Sequence, residues 1–507
     1  MFILSSICVF YGVDFLAYAA AIVFATAIIL FFRKSKRIFS LFAVCALCLV
    51  YTPIFDSVGE IYAQKHSNYK SETYTAVVEK VSQSYENVTL LVKTLPTESD
   101  RLGKKAVISA NIGENVPELF EEIRFSGSLL PLDASSLEGA DIYGTPFYYY
   151  SKGVRFVAVC DGYETLGRQS SFSGLSSFKY KYYYYITDRL KDVFPVFSGT
   201  DSFSYIRALL TGDRAGLDDA TYETYRKSGL APFLCISGLH VVAASMFLMA
   251  LLKKFGFSKN INLIINLVFL GFIALITGAG GSVLRASIMS AVFCISDFKK
   301  TGADRLSVLA LSFILIFVNN PYCVFDYGTR LSFLAMLGVI CASFVAKAYN
   351  PLYKKYEKNI KNTLVTGFFA MGFTLPVVLS DFGGVYLLSP FSSLIASVVF
   401  TPFMYLLVCI AFLSFLPQTV VGILAFPAKF LLKIFELVAK AFSLIPFSYA
   451  ELSLPNEVYT ITGVLFAVFL FVCAFSREKR IVSFATLFCS ILLPSVIFVH
   501  LFNVVMR

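Results

Sequence analysis

Long runs of apolar residues alternate along this chain with short basic loops. Leu263–Thr277, Leu306–Val318, Leu331–Val345, Val398–Phe415, Val458–Phe475 and Ile481–Val499 are such runs. A helix needs about 20 apolar residues to cross a hydrocarbon layer, because lipid offers its backbone no hydrogen-bond partner, so the shorter runs draw on their flanks. Phe2–Phe32 is apolar except for Asp14 and a few small polar residues, and Gly12-Val13-Asp14 divides it into a short half-helix and a full span. Ile38–Ile54 is the next span. From Pro232 the pattern gives further candidate spans near 231–252, 262–278, 282–297, 306–319, 330–347, 363–380, 388–414, 418–440, 457–475 and 481–503. The pattern predicts a polytopic α-helical membrane protein of about 12 spans. A cleaved leader cannot account for so many segments.

Between the second and third spans the pattern changes. Glu72–Lys80, Asn87–Lys93, Lys105–Asn111 and Gly153–Cys160 are rich in strand formers and alternate roughly with period two. Short strands separated by turns predict a small β-barrel or sandwich, and an OB-like barrel fits the pattern. Phe178–Leu217 reads as helical again. Tyr180 and Tyr182–Tyr185 form a dense aromatic patch, read either as a base-stacking surface or as the headgroup belt of an interfacial helix. The organisation expected is N-terminal transmembrane helices over 1–56, an extracytoplasmic β-rich domain over 57–170, an extracytoplasmic or interfacial helical linker over 171–230 and a transmembrane domain over 231–507.

Charge sets the sidedness. Arg33–Arg37, Lys253-Lys254 with Lys259, Lys299-Lys300 with Arg305, Lys347 to Lys361, and Arg477 with Arg480 all fall on one side of the span count, and basic loops mark the cytoplasm. The β domain then lies outside, and the protein sits in the cytoplasmic membrane. Lys429, Lys433 and Lys440 point to a part of 388–440 that lies along the interface. The net charge of +10 belongs to the membrane half, since residues 56–230 hold 19 Lys and Arg against 23 Asp and Glu. Charge therefore gives no sign that the soluble part binds nucleic acid.

Eleven cysteines lie mostly in apolar runs, where they serve as small packing residues. Cys45 and Cys48 form a CxxC without a second pair, which is too little for structural zinc. With three histidines, His66, His240 and His500, far apart in sequence, no metal site and no cofactor are indicated. No GxxxxGK[ST], HExxH or GxSxG pattern occurs, so no ATPase or hydrolase chemistry is expected.

Charged groups inside spans are costly, about 2.5–3.5 kcal/mol each on insertion scales, and mark function or pairing. Arg285 and Arg330 each begin a predicted span near the outer face, and Asp326 lies four residues before Arg330. One reading has both arginines lining the mouth of a polar path that meets phosphates. The other has them snorkelling at helix ends, or Arg330 paired with Asp326. Ser237-Gly238 interrupts an apolar segment, either breaking that helix beside a cavity or allowing close helix packing. His240 is read as a path-lining group or as a buried hydrogen-bonded residue.

Ala208-Leu-Leu-Thr-Gly-Asp-Arg-Ala-Gly-Leu217 and Ser228-Gly-Leu-Ala-Pro-Phe-Leu-Cys-Ile-Ser-Gly-Leu-His-Val241 resemble the "LLxGDRxGL" and "GLAHLLAISGLHV" stretches of the ComEC family of competence proteins. Ser282-Val-Leu-Arg-Ala-Ser-Ile-Met289 is similar to that family's "SxxRAxxM". Asn320-Pro321, Asp326 and Gly328 to Ala335 are similar to its "dP…d.GFqLSFlAv", and Gly139 to Val154 resembles its "GFDYxxYLxxxGI". Pro232 stands where the family usually has His, Thr329 where it has Phe, and Arg330 where Gln is common. The Asn expected near Ser393 is missing. No HxHxDH cluster is present, so the chain resembles the channel part of the family without its metallo-β-lactamase-like nuclease.

The resemblance implies a channel for single-stranded DNA across the cytoplasmic membrane during natural transformation. It implies Asp213, Arg214, Ser237, Gly238, His240, Arg285, Asp326 and Arg330 as candidates for the DNA path, and it alone favours function over a capping turn at Asp213-Arg214. The partners expected are single-stranded DNA, membrane lipid, a DNA receptor, a separate nuclease, a cytoplasmic motor and further copies of the chain. The alternative is a transporter of a non-DNA solute or a membrane assembly scaffold, which the acidic soluble part and the sparse intramembrane charge favour.

Overall fold

The computed structural model describes residues 51–451, apart from 53–54, 84–86, 96–102, 112–115, 141, 143–144, 169–174, 194–201, 213–218, 235, 279, 350–354, 383, 387 and 446–447. The spans expected within 1–50, at 457–475 and at 481–503, and the Cys45–Cys48 pair, lie outside the described residues. The described residues fall into two compact units. One lies within Met1–Gln169 together with Phe317–Asp326, the other within Ser170–Ile316 and Tyr327–Arg507.

The first unit is built on strands β1 (Asn68–Gln83), β2 (Asn87–Thr94), β3 (Lys105–Asn111) and β4 (Glu122–Pro131), helices α1 (Ala134–Gly139) and α2 (Pro146–Ser151), and strand β5 (Phe156–Gly167). The strands close a barrel in the order β1-β2-β3-β5-β4. β4 pairs antiparallel with both β1 and β5, and β3 runs parallel to β5. Alternate residues point inward, as a pleated strand requires, so Ala76 and Val78, Val88, Leu90 and Val92, Ala106 and Ile108, and Ile123 and Phe125 fill the interior. The intervening Val107 and Val157 face outward and are covered by Leu137 of α1 and Tyr149 of α2. Asp133 caps α1 by accepting the Ser136 amide at 2.6 Å, and Thr145 with Pro146 starts α2.

Residues 317–326 complete this unit by packing on α2. Asn320 donates from Nδ2 to the carbonyls of Tyr150 and Ser151, at 2.9 and 3.1 Å. Phe147 stacks on Phe325 with centroids 5.0 Å apart. The Arg155 guanidinium lies 4.5 Å from the Tyr150 ring centroid, 5.4 Å from Tyr322 and 5.6 Å from Phe55, an arrangement in which ring faces offset part of the cost of burying the charge. Its Nη1 is 3.8 Å from Asp56, whose carboxylate also accepts the Tyr322 hydroxyl. Burial, and that hydrogen bond, hold the Tyr322 hydroxyl above the usual phenol range. Burial together with the Asp326 carboxylate pushes the Cys323 thiol up to about 12.

The second unit begins with α3 (Leu175–Val193), α4 (Ser202–Thr211) and α5 (Asp219–Lys227). Tyr180, Tyr183, Ile186 and Leu190 recur at helical spacing on α3 and are buried, and Tyr182 packs on the core beside them; Tyr185 is exposed. The tyrosine patch is thus largely core, which corrects both surface readings of it. After a short 3-10 turn at Ala231–Leu234 come α6 (Gly238–Lys254), α7 (Lys259–Ile276), α8 (Gly281–Lys299), α9 (Arg305–Asn319), α10 (Tyr327–Tyr349) and α11 (Lys355–Phe382). Strand β6 (Gly384–Tyr386), helices α12 (Ser389–Leu413) and α13 (Gln418–Ser443) and strand β7 (Tyr449–Glu451) follow.

Among the described residues four helices are long and apolar enough to cross a membrane: α7, α8, Asn362–Leu379 within α11, and α12. Arg305–Asn319 and Tyr327–Ser343 are apolar but shorter. The segment expected to span near 231–252 is helical only from Gly238. α13 carries Lys429, Lys433, Glu436 and Lys440 between apolar positions, which excludes it from the long apolar set. It buries Val421, Ala425, Ala428, Leu432, Phe435 and Ala439 on one side, against the aromatic cluster of Tyr205, Tyr225, Phe233 and Phe400.

Candidate functional site: a buried arginine at the starts of three helices

The break before α6 has a local cause. Ser237 is extended, with φ −105° and ψ 166°, and precedes the first helical residue as an N-cap. Its amide N–H donates to Nδ1 of His240 at 3.0 Å. A nitrogen that accepts from an amide carries no proton, so the hydrogen-bond network assigns the proton of the neutral ring to Nε2. Nε2 is buried and has no partner among the described residues. The ring lies 4.9 Å from that of Phe400.

Gly238, the first residue of α6, donates its N–H to the Ser282 hydroxyl at 3.2 Å. Ser282 is in the first turn of α8, and the Ser332 hydroxyl of α10 donates to it at 3.0 Å. Ser332 in turn accepts from Nε of Arg285 at 2.9 Å. Among the described residues Nη1 of Arg285 meets only the Met289 sulfur, at 3.7 Å. Arg285 is 9% exposed, and among the described residues no carboxylate pairs with it. Side chains on a helix lean toward its N-terminus, and Arg285 does so, reaching back to the first turn of α6.

Two glycines make this approach possible. A Cβ on Gly238 would sit 2.5 Å from Nη2 of Arg285 and 3.2 Å from the Ala286 Cβ. A Cβ on Gly281 would coincide with the Thr329 hydroxyl, in the first turn of α10. The first turns of α6, α8 and α10 therefore meet side by side. Arg330 follows Thr329, with its Cζ 4.9 Å from the Tyr327 ring centroid. Deeper between α6, α7 and α8, Ser245 donates to Asn266 at 2.9 Å and Asn266 to Cys294 at 3.2 Å, and Asn266 is fully buried.

Of the residues expected on a path, Ser237, Gly238, His240 and Arg285 come together, and Arg330 lies on the helix that supplies Ser332. Asp326 belongs to the barrel unit, where its carboxylate pairs with Lys152. Asp213 and Arg214 lie outside the described residues. Gly212 just before them has φ +81°, and a Cβ there would be 3.3 Å from the Thr277 carbonyl, near the end of α7. Ser282, Ser332, Gly281 and Lys152 carry no site signal in the sequence, although each sits within or beside one of the distinctive stretches. A small hydroxyl or a glycine carries no charge signal, so spacing alone could not have distinguished them. Among the described residues no group of His, Cys, Asp and Glu is placed to hold a metal.

Residues 209–480 match the family described as Competence protein. ComE operon protein 3 of Bacillus subtilis (strain 168) is 25% identical over 382 residues, which cover 73% of this chain and 46% of that protein. The chain thus spans about half the length of this curated relative. No solved structure matches it.

Proposed function

Because the chain belongs to the competence protein family, we propose that it conducts single-stranded DNA across the cytoplasmic membrane during natural transformation. The observation that carries this reading is Arg285, nine-tenths buried, without a carboxylate partner among the described residues, and set where three apolar-domain helices begin. A costly cation kept inside a membrane domain without a carboxylate marks a functional site, and an anion that comes and goes would supply its counter-charge. Ser237 and Gly238 border the same turn, and His240, Arg330, Asp326, Asp213 and Arg214 are the remaining candidates for the path.

In this reading about 12 spans surround the path. The cytoplasm takes the basic loops at Lys253-Lys254, Lys299-Lys300 and Lys347 to Lys361. The starts of α6, α8 and α10 then face outward, and the strand arrives there. The domains are N-terminal helices over 1–56, the β domain over 57–170, a helical linker over 171–230 and the channel domain over 231–507. Five strands, a β3 parallel to β5 and a β1–β4 closure support the OB-like reading of the barrel. An OB-fold takes oligonucleotides on its strand 2–3 face. Here Leu91 and Val107 on that face lie under α1 and α2, which supports a scaffold role for the barrel. A DNA receptor, a separate nuclease, a cytoplasmic motor and further copies of the chain would act with it.

A transporter of another solute is the second reading, favoured by the acidic balance of residues 56–230. A clean deletion in a competent host separates the two. Loss of transformation, with donor DNA still accumulating at the cell surface, supports strand passage. Unchanged transformation overturns it and moves the solute reading first.

A further inference from the structure

We infer that the first turns of α6, α8 and α10, with Arg285, form one anion site that takes a phosphodiester of the passing strand through its backbone and not its bases. The inference rests on the strand-conduit reading and adds the ligand chemistry of its outer mouth.

Two features converge. Each helix start leaves amide N–H groups without partners inside the helix and carries about half a positive charge. α6, α8 and α10 have 17, 19 and 23 residues, long enough for full dipoles, and their starts meet through Gly238–Ser282 and Gly281–Thr329. Arg285 adds a full charge at the same place. Of its five N–H donors, Nε has a hydroxyl acceptor and Nη1 has only a thioether, a weak one. Arg285 carries more donors than it has oxygen acceptors among the described residues, and a largely buried cation without a counter-charge is unfavourable. An anionic acceptor beside it supplies that counter-charge. Positive helix ends grouped around a guanidinium are the arrangement that binds phosphate.

The placement favours a strand over a lipid headgroup. The outward residues of α6 are Leu239, Val242 and Met246, all apolar and exposed, whereas Arg285 packs inward against Gly238. A headgroup would have to leave the lipid face to reach it. Nor does the site offer a base platform: the ring nearest Arg285, Phe333, is 6.0 Å from its Cζ and lies on the arginine itself. Binding through phosphate alone suits a carrier that accepts any sequence.

The test uses the purified full chain in nanodiscs of zwitterionic lipid. The probes are an abasic single-stranded oligodeoxynucleotide, a base-bearing one of the same length, and inorganic phosphate as competitor. Both strands should bind alike, and phosphate should compete with both. Arg285→Gln should weaken both by at least about tenfold, as expected for loss of a charge-assisted contact, and abolish the competition. Arg285→Lys should restore part of the binding. Melting temperatures matched to the wild type show that both variants are folded. Wild-type affinity for the abasic strand in folded Arg285→Gln overturns the site, as does binding that requires bases. Loss of the Arg285-dependent competition in nanodiscs of anionic lipid assigns the site to a headgroup and overturns the strand assignment. If the site fails while deletion still abolishes transformation, the conduit reading stands without it. If the deletion is silent while Arg285-dependent phosphate binding persists, the anion site stands and the strand does not.

Discussion

Phe435→Ala is expected to lower the stability of the second unit by about 3–5 kcal/mol, the range for emptying a buried phenylalanine site. Phe435 is fully buried, and its ring centroid lies 6.2 Å from Tyr205, 5.6 Å from Tyr225, 5.7 Å from Phe233 and 5.1 Å from Phe400. Those rings come from α4, α5, the 3-10 turn before α6, and α12. One side chain therefore joins four elements to α13, and few neighbours can collapse into the space it leaves, because they are stiff rings themselves. Thermal melting of wild type and variant in one detergent reads the loss. An unchanged melting temperature would mean that α13 is not packed as described. Phe435→Leu, which keeps most of the volume, should recover a large part of the difference.

Gly281→Val should cost function more than stability. The added Cβ falls on the Thr329 hydroxyl, so α8 and α10 must part, at a cost of about 1–3 kcal/mol typical of overpacking. Parting them also pulls Ser332 away from Arg285 and Ser282, which are held by single hydrogen bonds of 2.9 and 3.0 Å. DNA uptake should fall close to that of the deletion strain at matched membrane level. Gly281→Val combined with Thr329→Gly, which clears the contact, should recover uptake. Full uptake by the single variant would show that the close approach of α8 and α10 is dispensable.

The legible part of the fold was the part written in periodicity. β1, β2, β3 and β5 showed as alternating runs of strand formers. β4 did not, because Ser126-Gly127-Ser128 interrupts it. A Cβ on Gly127 would strike the Val159 carbonyl, where the β4–β5 pairing shifts register. The glycine that weakens the strand signal is the residue that lets the barrel close. On α3 the tyrosines form a patch by composition, but the spacing of Tyr180, Tyr183 and Ile186 is that of a buried stripe, and the period is the better guide.

The site was legible only in fragments. Arg285 stood out because a charge in an apolar run is costly, and Ser237-Gly238 because it breaks one. That their helices begin side by side was not readable, since Gly238, Gly281 and Thr329 lie more than forty residues apart in sequence and only folding brings them together. Asp326 was read with Arg330, four residues away; its acceptor role toward Lys152 depends on a barrel loop no local pattern indicates.

The central claim is that a DNA strand crosses the membrane past Arg285. It is tested most directly by counting labelled donor DNA that becomes nuclease-protected in a deletion strain complemented with wild type or with Arg285→Ala at equal membrane level. Expected is surface binding by both and internalisation by the wild type alone. Internalisation by Arg285→Ala at the wild-type rate contradicts the claim and removes Arg285 from the path.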